Sequence, residues 1–202
     1  MGLMAEPITD QRLVKGARSR AAIARHAADV ASVEGLDGLS IGRLATDLGV
    51  SKSGIATLFG SKQALQLAAV RAAREVFIER IVEPAVREPR GLPRVRALVT
   101  RWLDYITDPV FPGGCFRAAT LAEFDSRPGP VRDALVADHA EWMALLEKQL
   151  RHAVDRDELP GRDPAALAFE LDALVTAANT ARQLGDETKL ATARAIIDRL
   201  LT

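Results

Sequence analysis

Apolar residues recur three or four positions apart through most of the chain, and glycine or proline interrupts this pattern at intervals. Such spacing puts the apolar residues on one face of a helix and therefore predicts amphipathic α-helices. The pattern predicts an all-α fold of nine helices, at about residues 14 or 18 to 33, 41–48, 51–59, 62–82, 94–107, 117–124, 130–156, 163–184 and 187–200. We expect a flexible arm before Arg12 and a linker at residues 84–93, which hold three prolines and a glycine.

Two of the predicted helices are short and closely joined. Ser40 precedes an apolar stripe that ends at Gly49, and Ser51 opens the next helix. A serine at a helix N-cap accepts a backbone N–H of the first turn, while glycine adopts the left-handed conformation of a tight reversal. Residues 39–65 therefore resemble a helix-turn-helix, a unit whose second helix can enter the major groove of DNA.

The charge distribution agrees with a nucleic-acid surface at one end of the chain. The formal net charge is zero, with 27 basic and 27 acidic residues. Between Arg12 and Arg74, however, ten basic residues stand against four acidic ones. Any DNA surface must arise from this local excess, because the chain as a whole is not basic.

Other function classes receive little support. Cys115 is the single cysteine, which excludes an intrachain disulfide, and neither a signal segment nor an apolar run of membrane-spanning length is visible, so we expect a cytoplasmic protein. His26, His139 and His152 are scattered and lack the spacing of a helical metal pair. We therefore expect no metal, no cofactor and no catalysis. Cys115 is a candidate redox sensor, with a packing thiol as the alternative.

The chain resembles the TetR/AcrR family of bacterial transcriptional regulators. The family pattern of Ala, three variable residues and Gly-Val-Ser matches residues 45–51, and its helix-three ending matches residues 58–62, Leu-Phe-Gly-Ser-Lys. A Phe-Pro-Gly-Gly-Cys-Phe segment at 111–116 also occurs in one branch of these regulators. The resemblance implies a nine-helix TetR-like architecture. It places a helix-turn-helix DNA-binding domain at residues 1–60 and a ligand-binding and dimerisation bundle at residues 61–202.

Short polar and basic residues of the first domain are the candidates for contact with DNA. They lie on the N-terminal and outward face of the third predicted helix, at the start of the fourth, and on the first two helices, where a solvated polar surface is the alternative. The candidates are Arg18, Arg43, Ser51, Lys52, Ser53, Gly54, Thr57 and Lys62, with Arg20 as an alternative to Arg18. Where relatives carry phosphate-binding tyrosines on helix three, this chain has Ala56 and Leu58, so we expect fewer phosphate contacts.

Most of the aromatic residues fall in the second half and suggest a ligand pocket, for which ordinary core packing is the alternative. The candidate wall residues are Trp102, Tyr105, Phe111, Cys115, Phe116, Thr120, Phe124, Trp142 and Asn179. Asn179 stands alone in an apolar helix, where it either faces the pocket or satisfies a backbone group.

These features together predict a ligand-responsive transcriptional regulator, expected to be a repressor, that is released from DNA by an unidentified small-molecule effector. The last two predicted helices have small and apolar residues on more than one face and are expected to form a homodimer, which would read a near-palindromic operator. We expect the ligand to bind between the fifth and eighth helices and to displace the fourth. Two alternatives are a helical enzyme or carrier that does not bind DNA, and a DNA-binding protein without an effector.

Overall fold

The computed structural model describes residues 8–108 and 110–202, and the described residues form helices and no strands. In chain order the helices are α1 (Ile8–Glu34), α2 (Ile41–Leu48), α3 (Lys52–Phe59), α4 (Lys62–Phe77), α5 (Leu92–Thr107), α6 (Phe116–Phe124), α7 (Pro130–Asp155), α8 (Pro164–Gln183) and α9 (Glu187–Leu200). The all-α, nine-helix prediction is confirmed for this part of the chain. None of these helices has the combination of length and apolar character needed to cross a bilayer.

The predicted caps of the helix-turn-helix are present. The hydroxyl of Ser40 accepts the N–H of Arg43 at 3.1 Å, and that of Ser51 accepts the N–H of Gly54 at the same distance. Gly49 ends α2 with φ 64°, the left-handed conformation that the turn requires. Serine and glycine therefore fix the ends of these short helices by local hydrogen bonding.

Two helix boundaries differ from the prediction. Helix α1 begins at Ile8, at least six residues before the predicted start, so that only residues 1–7 of the expected arm lie outside the described residues. Leu13 and Val14 in this early part of the helix are exposed, and a helical segment that does not pack on the core carries no periodic apolar pattern. Helix α4 continues through a π-helical turn, Ile78–Val82, and a last α-helical turn, Glu83–Ala85.

The predicted linker at residues 84–93 is consequently shorter. Its last proline, Pro93, lies in the first turn of α5, where the missing N–H costs nothing. The carboxylate of Glu158 accepts the N–H of Leu92 at 2.6 Å and so supplies the N-terminal acceptor that the chain lacks locally. The turn between the two helices therefore comprises residues 86–91.

Helix α4 joins the two ends of the molecule. It packs along α1 and against α7, and α7 also contacts α5, α6 and α8. Helix α9 packs on α8. The buried apolar residues form one continuous cluster through all of these helices, so displacement of α4 would change its packing at both ends.

A second connection runs from α1 to α6 and the loop before it. The carboxylate of Glu123 accepts the backbone N–H groups of Leu36 and Asp37, at 2.7 and 2.8 Å. The N–H of Gly113 donates to the hydroxyl of Ser32 at 2.9 Å. A Cβ at Gly113 would lie 1.8 Å from the backbone oxygen of Ser32, so only glycine permits this close approach.

Candidate functional site

The outward face of α3 is polar and open to solvent. Ser51, Lys52, Ser53, Gly54 and Thr57 are all exposed. The hydroxyl of Thr57 donates to the backbone oxygen of Ser53 at 2.8 Å, and the hydroxyls of Ser51 and Ser53 lie 3.3 Å apart. These five candidates therefore form one contiguous surface, with short side chains that allow close approach of another molecule.

The opposite face of α3 is core. Ile55 and Phe59 are buried, beside Leu44 and Ala45 of α2. Arg20 places its guanidinium 4.7 Å from the centroid of the Phe59 ring and donates to the backbone oxygen of Leu58. Arg20 thus secures the end of α3, a role that uses its charge within the protein.

The two α3 positions at which relatives carry tyrosine, Ala56 and Leu58, differ in environment. Ala56 is exposed, and Leu58 is partly buried against the core. Of these two positions, only position 56 could carry a larger side chain into solvent without disturbing the packing.

The remaining basic candidates have different surroundings. Arg18 is exposed on α1. Lys62 is exposed at the start of α4, where its Nζ donates to the backbone oxygen of Asp37 at 2.5 Å. Arg43 is paired with Asp47 at 2.8 Å and with Glu34 at 2.9 Å, and hydrogen bonding to these carboxylates raises its pKa. Two acidic neighbours offset the charge of Arg43, which makes it a weaker phosphate contact than the sequence suggests.

The aromatic residues of the second half pack on one another. The ring of Phe77 in α4 lies at its centre, with ring centroids 4.9 Å from Trp142, 5.7 Å from Tyr105 and 6.2 Å from Trp102, all edge to face. Burial raises the pKa of Tyr105 well above the usual range. Phe77 was not among the predicted pocket residues, although an aromatic ring at an apolar position of the fourth helix indicates a core residue.

All nine predicted pocket residues are buried, but they do not surround one space. The amide oxygen of Asn179 accepts the N–H of Cys115 at 2.8 Å, which is the backbone role considered for it. The hydroxyl of Thr120 donates within its own helix to the oxygen of Phe116. The thiol of Cys115 is buried, which favours packing over redox chemistry because thiol oxidation requires access.

The aromatic cluster borders a cleft of about 180 Å³ between α4, α6 and α7, lined by Arg74, Phe77, Ile78, Val82, Arg117, Asp138, Glu141, Trp142 and Leu145. Of the predicted pocket residues, only Trp142 lines it. Tyr105 and Phe116 border a narrower space beside it, and Phe124 lines a separate groove. The cleft thus lies on the α4 side of the bundle and not between the fifth and eighth helices.

Two ion pairs cross this cleft. Arg117 is bound to Asp138, with both its Nε and Nη2 at 2.9 Å from the carboxylate, and its guanidinium carbon lies 4.2 Å from the centroid of Phe77. Arg74 pairs with Glu141 at 2.5 Å, which lowers the pKa of that carboxyl. Arg117 was the one basic residue of its short helix, and this was the available signal for it; its pairing with a residue 21 positions later was not visible in the sequence.

In the described part of the chain, no three His, Cys, Asp or Glu side chains come together in a way that could hold a metal ion. His26 lies 3.0 Å from Asp47, and His139 lies 3.8 Å from Asp172. These two histidines therefore each have one carboxylate neighbour, which is an ordinary polar pair.

The comparisons with known proteins agree with this geometry. A search of curated proteins found no significant match. A TetR transcriptional regulator from Chloroflexus aurantiacus J-10-FL is 28% identical, with a TM-score of 0.82 over 91% of this chain and 93% of that one. A TetR-family regulator from Agrobacterium tumefaciens is 22% identical, with a TM-score of 0.80 over 92% and 99%. AibR in complex with isovaleryl coenzyme A and operator DNA is 20% identical, with a TM-score of 0.72 over 90% and 98%.

A family model matches the part of the chain that supplies the α6 and α7 walls of the cleft. It describes the tetracyclin repressor-like C-terminal domain and covers residues 91–197, more than half of the sequence. The helix-turn-helix precedes this domain in the chain, as the resemblance implied. The chain belongs to the TetR family of transcriptional regulators.

Proposed function

We propose that this protein is a ligand-responsive transcriptional repressor that binds operator DNA as a homodimer. The observation that carries the proposal is the exposed polar face of α3, held on a capped helix-turn-helix and backed by a buried core. AibR, a structural neighbour, was solved with operator DNA and an acyl coenzyme A, which shows that this fold accommodates both kinds of partner. The proposed activity is regulatory and not catalytic.

In this proposal Lys52 and the hydroxyls of Ser51, Ser53 and Thr57 approach bases and phosphates, and the backbone at Gly54 allows close contact. Lys62 and Arg18 add phosphate contacts, while Arg43 contributes less because of its carboxylate partners. The experiment is a gel-shift series against an operator selected from random DNA, at increasing salt. Affinity should fall with ionic strength, with a modest slope because few side chains reach phosphates. Binding that barely changes with salt would contradict the phosphate contacts.

The dimer is proposed to form through α8 and α9. Phe169 on α8 and Leu184, directly after the last residue of α8, are 70% and 80% exposed. Between them, Ala173, Thr176 and Ala177 are also exposed at helical spacing, so one side of α8 offers a continuous face of small and apolar residues. A two-fold dimer would present two α3 helices to half-sites about one DNA turn apart, hence a near-palindromic operator. Sedimentation showing only monomers at micromolar concentration would refute this part.

The effector is proposed to act through α4. Arg74 and Phe77 line the cleft, and the same helix packs along α1. A ligand that moves α4 would therefore alter the spacing of the two α3 helices. To release DNA it must bind the released state better, by about 1.4 kcal/mol for each tenfold loss of operator affinity. Calorimetric titration with and without operator tests this coupling, and equal ligand affinities would disprove it. A ligand that tightens operator binding would indicate an activator or a co-repressor mechanism.

A further inference from the structure

The 110–115 loop, between α5 and α6, fastens the DNA-binding end of the molecule to the helix proposed for the dimer. It contacts α1 on one side and α8 on the other. Helix α1 packs on both α2 and α3, so a displacement of α1 is passed on to the helix-turn-helix. A short series of contacts therefore leads from α8 through this loop to α3.

The α1 side of the 110–115 loop is held by two hydrogen bonds, a cation–π contact and a close backbone approach. The N–H of Gly113 donates to the hydroxyl of Ser32 at 2.9 Å, and the guanidinium of Arg25 donates to the backbone oxygen of Val110 at 3.1 Å. The same guanidinium lies 4.2 Å from the ring centroid of Phe111, which is fully buried. Because a Cβ at Gly113 would lie 1.8 Å from the Ser32 backbone oxygen, any side chain there must push α1 away by more than 1 Å.

The α8 side of the 110–115 loop is held as closely. The N–H of Cys115 donates to the amide oxygen of Asn179 at 2.8 Å, and Asn179 is buried. A Cβ at Gly114 would lie 2.4 Å from the amide oxygen of Asn179 and from the amide nitrogen of Gln183, so both amides pack directly on the loop backbone. Asn179 and Gln183 belong to the helix that carries the exposed apolar face proposed for the dimer.

This loop adds a second attachment to the one that α4 provides. One connecting helix leaves the attached domain free to rotate about a hinge, whereas a second contact removes that freedom. Packed side chains and short hydrogen bonds leave little slack, so α1 keeps a fixed position relative to α8. In a two-fold dimer any shift of α1 in one subunit is repeated in the other, and the two α3 helices change their separation.

We propose that the 110–115 loop sets the separation of the two α3 helices in the dimer, and thereby the spacing of the operator half-sites that the protein accepts. Gly113 and Gly114 are positioning residues in this role, because they act through the helices that they contact. The inference rests on the proposed function, since half-site spacing has a meaning only for a dimer that binds DNA.

The test measures the affinity of the full-length protein for operators that differ only in spacing. The half-sites are those selected from random DNA, moved one or two base pairs closer together or further apart. Each base pair shifts a half-site by about 3.4 Å and rotates it by about 35° around the DNA axis. Gel shifts of the wild type should show one preferred spacing and about tenfold weaker binding one base pair away, because a misplaced α3 loses base contacts.

Three variants loosen the loop at different points. Gly113→Ala pushes α1 away, while Ser32→Ala and Asn179→Ala each remove one hydrogen-bond acceptor. Each variant should reduce the preference for the best spacing by about threefold or more, because a looser α1 lets α3 reach the neighbouring spacings. The base preference within each half-site should stay the same, since α3 itself is unchanged. Ser32→Ala and Asn179→Ala decide the test if Gly113→Ala does not fold.

Gly161→Ala is the matched control. Gly161 lies in the turn between α7 and α8 and has a φ of 71°, so a side chain there also strains the backbone. A Cβ at this position meets no atom within 4 Å, and the 110–115 loop is untouched. This variant should lower stability and keep the spacing preference of the wild type. Sedimentation checks that the compared proteins are dimers.

The outcomes separate this inference from the proposed function. A wild-type spacing preference in both Ser32→Ala and Asn179→Ala would overturn the inference and leave the proposed function intact. An equal reduction in Gly161→Ala would also overturn it, because general destabilisation would then explain the effect. The same holds if the wild type binds all spacings equally. A wild type that selects no operator would overturn the proposed function, and the inference with it.

Discussion

Glu123 is the residue through which α6 holds the end of α1, and its replacement should weaken the link between the two parts of the molecule. Its carboxylate accepts the N–H groups of Leu36 and Asp37. These amides follow the last turn of α1, where the chain leaves the helix toward α2. Glu123→Ala removes both acceptors, while Glu123→Gln keeps one oxygen and loses the charge.

The expected loss follows from these two bonds. A hydrogen bond to a charged group contributes about 1.5–3 kcal/mol when buried. Leu36 is fully buried, so we count its hydrogen bond, at the lower end of this range. The bond to Asp37 is exposed, and water can replace much of it. Glu123→Ala should therefore lower the free energy of unfolding by about 2 kcal/mol, or about 4–8 °C in Tm. Glu123→Gln should cost about half as much.

Urea denaturation at one fixed protein concentration measures this loss, because the apparent stability of a dimer depends on concentration. Amide hydrogen exchange adds a local readout, and the Leu36 and Asp37 amides should exchange faster in Glu123→Ala. The matched control is Glu158→Ala, since Glu158 accepts the N–H of Leu92 within the bundle and does not contact α1 or α2. It should lower stability without changing exchange at residues 36 and 37.

One result would refute the reasoning directly. If Glu123→Ala unfolds within about 0.5 kcal/mol of wild type, as ordinary surface substitutions do, and exchange at the two amides is unchanged, the carboxylate does not hold this junction. Loss of stability with unchanged exchange would show that Glu123 matters through other contacts.

Three further predictions concern DNA binding and assembly. Lys52→Ala should weaken binding to a selected operator and lower the slope of log affinity against log salt by about one. Arg43→Ala should change that slope less, because two carboxylates offset the charge of Arg43. Gel shifts in a salt series test both variants, and equal effects would contradict the charge argument. Ala56→Tyr, at an exposed position, should tighten operator binding about fivefold at low salt by adding a phosphate hydrogen bond, and unchanged affinity would show that this position does not face the backbone. Phe169→Glu should give monomers in sedimentation, while Val136→Glu, at an exposed apolar position of α7, should leave the dimer intact; dimers in both would place the interface elsewhere.

The helix-turn-helix could be predicted almost completely because its determinants are local. The hydroxyls of Ser40 and Ser51 reach backbone groups three residues ahead, and Gly49 needs only its own backbone freedom. The outward polar face of α3 follows from the same helical spacing. The start of α1 was missed because Leu13 and Val14 are exposed, and a helical segment that does not pack on the core carries no periodic apolar pattern.

The aromatic core and the cleft beside it could be predicted only in part. The concentration of aromatic residues in the second half correctly identified buried positions. However, aromatic side chains that pack on one another and aromatic side chains that line a cavity give the same sequence pattern. Phe77 comes from α4, outside the second half of the chain from which the pocket was predicted. It packs with Trp102, Tyr105 and Trp142 in one group. The cleft beside that group therefore has a different set of walls from the predicted one.

The sequence by itself determined the all-α class, the caps and turn of the helix-turn-helix, and the polar face of α3, since each depends on residues within a few positions of one another. Only the tertiary structure decided which side chains surround the cleft, that Arg117 pairs with Asp138, and that Glu123 reaches the end of α1. These contacts join residues between 21 and 87 positions apart. They are set by how the helices cross, and helical periodicity records which face is apolar but not which helix will cover it.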